Sequence, residues 1–101
     1  MNKHNKLLEL ANAMISGNVN LIDGCREMVE ISRIPDYLED SIFIIFVGVD
    51  SETDDIPRGH VRKAFAEEAL KKLDNEADEY IQRVKPEIIK ACEDLIKKYS
   101  H

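Results

Sequence analysis

Between Asp36 and Pro57 the chain carries seven acids, Asp36, Glu39, Asp40, Asp50, Glu52, Asp54 and Asp55, and no Lys or Arg. Alternating carboxylates suit calcium, and Asp50, Glu52 and Asp54 fall on positions one, three and five of the EF-hand spacing. The match fails where that loop is least tolerant. Position six needs Gly for a sharp turn and holds Asp55, and position twelve needs a bidentate Glu and holds Val61. Cys25 and Cys92 lie far apart on apolar stripes without a nearby Cys or His, which fits small core residues better than a disulfide or metal site. His60 adjoins the acidic run and reads as a solvent-facing helix start; His4 and His101 are terminal. No phosphate-binding glycine loop, zinc-protease motif or nucleophile elbow occurs. The expectation is a protein without catalytic residues, metal or cofactor.

The seven acids carry −7, so the remainder of the chain carries +1 against a total of −6. A net negative charge and a pI near 5.0 argue against direct binding to nucleic acid or to an anionic membrane. Two readings of the acidic run stay open. It is either a solvated surface of helix caps and Asx turns, or a surface that meets a protein partner, with Tyr37 beside it as an aromatic anchor. Arg62 is expected to fold back onto Asp50, Asp54 or Asp55 and pin the loop.

The elements that must position these residues are helical. At 101 residues the chain is one domain, 1–101. Leu7, Leu10, Ala11 and Met14 form one stripe, stopped by Gly17; Leu21, Ile22, Cys25, Met28, Val29 and Ser32 form a second, capped by Asn18 or Asn20. The link between them is short enough for an antiparallel hairpin. Arg26, Glu27 and Glu30 fall off the second stripe. Residues 41–47, Ser-Ile-Phe-Ile-Ile-Phe-Val, have strand propensity, but nothing else in the chain could pair with a strand. A short helix from about Asp36 to Val47 is therefore expected, with Leu38, Ile42, Ile45 and Phe46 inward. Gly48–Gly59 reads as a loop and His60–Phe65 as a short helical run. From Ala66 to Tyr99 runs a stripe of Leu70, Leu73, Ala77, Tyr80, Ile81, Val84, Ile88, Cys92, Leu95 and Tyr99. Unbroken, it would span about 51 Å, so Pro86 is expected to kink or break it. The fold class is all-α, a compact bundle of four to five helices. No apolar run approaches the ~20 residues of a membrane span, and with a polar amino end that lacks a secretion-signal pattern the cytoplasm is the expected compartment.

From Phe46 to Arg62 the sequence reads Phe-Val-Gly-Val-Asp-Ser-Glu-Thr-Asp-Asp-Ile-Pro-Arg-Gly-His-Val-Arg. It resembles a family of small bacterial helical proteins with an aromatic before Gly-x-Asp-Ser-Glu-x-Asp, then Pro-x-Gly-x-x-Arg. The matching positions are Phe46, Gly48, Asp50, Ser51, Glu52, Asp54, Pro57, Gly59 and Arg62. Gly24-Cys25-Arg26 and Ala91-Cys92-x-x-Leu95-Ile96 extend the likeness over most of the chain. A departure is Phe65-Ala66, where the pattern has Trp-Ser and thus a helix cap. Such proteins resemble immunity proteins of bacterial toxin systems, including contact-dependent growth inhibition. The resemblance implies a cytoplasmic inhibitor of a cognate toxin domain, often a nuclease with a basic cleft. The partner-binding residues would then be Asp36, Tyr37, Glu39, Asp40, Asp50, Glu52, Asp54 and Asp55. Gly48, Ser51, Pro57, Gly59 and Arg62 would hold the loop. The alternative is a helical adaptor that acts through protein contacts, including contacts with a second copy of itself.

Overall fold

In the computed structural model, which describes residues 3–100, the chain is an all-helical bundle with no strand among those residues. Helix α1 spans Asn5–Ser16, α2 Leu21–Ser32, α3 Ile44–Glu52 and α4 Glu67–Tyr99. A 3-10 turn, Ser41–Phe43, runs directly into α3, and a second, Gly59–Ala64, precedes α4.

The first two helices end and begin as their sequence dictates. Gly17 adopts φ 80° and closes α1, with Asn18 N–H donating to Ala13 O. The Asn20 side chain accepts from Ile22 N at 2.8 Å and Asp23 N at 3.3 Å, satisfying two donors of α2's first turn. Where α1 and α2 pack, a Cβ on Gly24 would stand 2.8 Å from Met14 Cγ, so the missing side chain is what lets Met14 in. The core gathers Leu7, Ala11, Met14, Cys25, Met28, Phe43, Phe46, Val49, Ile88, Cys92 and Leu95. Both cysteines are free and fully buried, and burial pushes each thiol up to about 12, leaving almost no thiolate at neutral pH.

Two expectations need correction. The third helix starts later and ends later than its sequence suggested. Residues 34–40 are turns, held by Tyr37 N–H to Ile34 O and Asp40 N–H to Tyr37 O, and the helix runs on through Gly48 to Glu52. The inward residues are accordingly Phe43, Phe46 and Val49, with Ile42 and Ile45 half-buried, while Leu38 is 63% exposed. The apolar spacing of Phe46, Val49 and Thr53 outweighs the loop-like composition there.

The second correction is that, of the kink or break expected at Pro86, the break does not occur. Helix α4 continues through it for 33 residues, and the molecule measures 47 × 24 × 24 Å. Pro86 and Gln82, the residue whose carbonyl loses its partner, are both exposed, so water takes the place of the missing N–H. The length conflict is resolved by elongation instead of a break. Because nothing at position 86 requires the ring, Pro86→Ala restores a ladder hydrogen bond. It should raise stability by about 1–3 kcal/mol, read as a higher urea midpoint with unchanged helical circular dichroism.

Candidate interaction surface

The acidic segment is organised by three arginines. Arg26 leaves α2 and donates through Nη2 to the carbonyls of Thr53 and Ile56, the latter at 3.3 Å, while its Nε lies 3.6 Å from Asp50 Oδ1. These carbonyls lie at and just beyond the carboxyl end of α3, where a helix has unsatisfied acceptors and a partial negative charge. Arg26 is thus the cap of α3. Arg58 reaches back to α2 with a two-pronged contact, Nε and Nη2 each 2.8 Å from an Asp23 oxygen. These hydrogen bonds hold the Asp23 carboxyl below its ordinary range despite partial burial.

Arg62 makes the third tie, and not the expected one. Its Nη1 donates to Pro57 O at 3.1 Å and to Asp74 Oδ1 at 3.0 Å, and its Nη2 to Asp74 Oδ2 at 2.6 Å. The partner is on α4, one helix away from the acids predicted for it. Between these ties Ile56 is buried with Ile22, Ala77 and Leu73, Pro57 is buried, and Gly59 sits at φ 67°, where an L side chain is strained. Pro57, Gly59 and Arg62 therefore hold the loop. Gly48 and Ser51 do not: both lie exposed on α3, and nothing stands within 4 Å of a Cβ built on Gly48.

The eight residues predicted to meet a partner separate into two groups. Tyr37 is only 5% exposed, with its ring edge-on to Tyr99 at 5.2 Å and tilted against Phe43, so it is a core residue and not a surface anchor. Asp40 is equally committed. Its side chain is 6% exposed and accepts from Ile42 N at 3.0 Å, Lys98 Nζ at 2.9 Å and the Tyr99 hydroxyl. Asp50 pairs with Arg26, and Asp36 lies 3.4 Å from Lys3 Nζ. The remaining four, Glu39, Glu52, Asp54 and Asp55, are exposed, and none forms an ion pair among the described residues. Glu39 stands in the turns before α3, and the other three sit at its carboxyl end.

Sequence reasoning missed Arg26, whose position off the apolar stripe looked like plain solvent exposure. No group of three or more His, Cys, Asp or Glu among the described residues is placed to hold a metal ion, and no described helix is long and apolar enough to cross a membrane. Comparison with protein-family models, curated proteins and solved structures finds no match for this chain.

Two stability tests follow from this arrangement. Arg26→Met keeps the apolar stem but strips the cap from Thr53 O and Ile56 O. It should cost about 1.5–3 kcal/mol, the range for hydrogen bonds to charged groups, seen as a lower urea midpoint. Asp40 behaves differently because its contribution depends on pH. Burial alone would raise its pKa, but the hydrogen bonds from Tyr99, Lys98 and Ile42 hold it below the ordinary value. Its stabilising effect is therefore full above the unfolded pKa of about 3.9 and lost as pH falls through the lower folded value. Asp40→Asn should be less stable than the natural chain at neutral pH, and the gap should narrow as pH falls below about 4. Urea midpoints across that range read both predictions.

Proposed function

We propose that this chain is a cytoplasmic immunity protein that binds and neutralises a basic toxin domain through carboxylates at the ends of α3. The observation that carries the reading is the position of Glu52, Asp54 and Asp55. Three unpaired acids crowd the negative end of a helix dipole, where charge of this sign is disfavoured. Helix α4 is arranged the other way, with Glu67 and Glu68 in its first turn and Lys97 and Lys98 in its last. Stability gives no reason to place the three acids where they are, and a positively charged partner does.

A toxin nuclease holds phosphates in a basic cleft, and carboxylates can occupy that cleft by complementary charge. Opposite fields also raise the encounter rate, which matters when a toxin must be captured before it acts. On this reading the chain contributes no chemical step. The resemblance over Phe46–Arg62 supports the same class of function, with the partner-facing set now reduced to Glu39, Glu52, Asp54 and Asp55.

The test takes as its candidate toxin the protein encoded immediately beside this chain's gene. Replacing Glu52 by Gln and Asp54 and Asp55 by Asn should leave stability equal or slightly higher, by a few tenths of a kcal/mol. The same triple variant should bind the candidate toxin more weakly, lose part of the salt dependence of binding, and fail to protect cells. Calorimetric titration at two salt concentrations and a growth assay measure this. Unchanged affinity and unchanged salt dependence would remove the acids from the interface.

A further inference from the structure

Helix α3 has an outer face with a composition that solvent does not explain. Ile44, Val47, Gly48 and Ser51 recur at three- and four-residue intervals, hence along one side of the helix, and all four are exposed. Ile44 is 69% exposed and Val47 49%. Gly48 stands in the middle of this face with open space where its side chain would be. An exposed glycine inside a helix costs about 1 kcal/mol relative to alanine, and here no neighbour in the chain needs its smallness. A contact that comes from outside would need it, because a residue without Cβ lets another backbone approach closely.

The two flanks of the face differ. On the α2 side Asp50 lines a cleft of about 520 Å³ with Asp23, Glu27, Glu30, Arg26 and Arg58, in which Asp50 and Asp23 are paired with the two arginines. On the α4 side Glu52 and Asp55 line a smaller cleft of about 180 Å³, closed by Glu76, Tyr80 and Arg83. We infer that the outer face of α3 is the dry centre of a protein interface, occupied by an apolar ridge of the partner bordered by Lys or Arg side chains. Charge decides the occupant. A second copy would bring another net-acidic patch to this face, whereas a cation-bordered ridge places ammonium or guanidinium groups against Glu52, Asp54 and Asp55. Ile44 and Val47 would meet the ridge, Gly48 would set its distance, and the flanking acids would fix its orientation.

The inference rests on the inhibitor reading and adds the apolar centre to it, so the test separates the two. Gly48→Leu fills the open space on the helix, and Ile44→Ser removes an apolar contact; neither touches the core, and helical circular dichroism with urea midpoints checks that both fold. Titrated with the protein encoded immediately beside the gene, each should bind at least about tenfold more weakly, with the salt dependence of the natural chain retained. Gly48→Ala should meanwhile raise stability. Natural affinity for Gly48→Leu and Ile44→Ser, with binding lost in the acid-neutralised variant, overturns this inference and leaves the inhibitor reading standing. No binding by the natural chain overturns both. Sedimentation of the natural chain alone as a dimer that Gly48→Leu dissociates would assign the face to a second copy and overturn the partner named here.

Discussion

A helix of 33 residues packed with helices of 12 sets the problem that the rest of this structure answers. Helix α4 extends about 50 Å and its shorter neighbours about 18 Å each, so neither of them can cover it from end to end. The buried residues of α4 show where cover is complete: Ile88, Ala91, Cys92 and Leu95 lie beyond Pro86, and Ala77 is the one fully buried position before it. The carboxyl half packs on α1 and the main core. The amino half would stand out in water without the segment from Thr53 to Ala64 beneath it, which supplies Ile56 against Ala77 and Leu73 and ties Arg62 to Asp74.

That segment is a poor structural element by itself. Its buried residues are Thr53, Ile56 and Pro57, and the 3-10 turn Gly59–Ala64 buries none. It is held by arginines instead of by a core. Each pair is partly exposed, so its separate contribution is modest. What the guanidinium groups supply is direction, because a planar fork that meets a carboxylate through two oxygens fixes the angle as well as the distance. Arg58 to Asp23 and Arg62 to Asp74 hold the segment between α2 and α4. Arg26 attaches its start to the end of α3. Of the acidic segment these ties take Asp50; Asp40 is held by Lys98 and Tyr99 and Asp36 pairs with Lys3, which leaves Glu39, Glu52, Asp54 and Asp55 as its acids without an ion pair among the described residues.

The parts of this arrangement legible in the sequence are those governed by periodicity. Leu7, Ala11 and Met14, then Cys25, Met28 and Val29, then Ile88, Cys92 and Leu95 announce their helices and their inward faces, and Gly17 and Asn20 mark the turn between the first two. What was not legible depends on distance along the chain or on water. Arg26 finds its carbonyls 27 and 30 residues away, and no local pattern records that. Tyr37 looked like a surface anchor because its sequence neighbours are acidic, yet His4, Phe43 and Tyr99 enclose its ring. Pro86 looked like a break because the rule for prolines in helices assumes that the orphaned carbonyl goes unsatisfied. The composition of residues 48–55 suggested a loop, and half of it is helix because Val49 and Thr53 continue the buried side of Phe46.

Helix α3 is where local rules and the observed structure disagree most. It carries a glycine at an open, exposed position, isoleucine and valine toward water, and carboxylates at the end where the dipole is already negative. Each of these costs stability, and each is absent from α4, whose charges match its dipole and whose stripe faces inward. Sequences are locally consistent with their folds except where something other than folding has shaped them. One such violation would be noise in a chain of this length. Three on or beside one nine-residue helix are what the proposed reading expects of a surface that a partner covers, its apolar residues kept from water and its charges paired on binding.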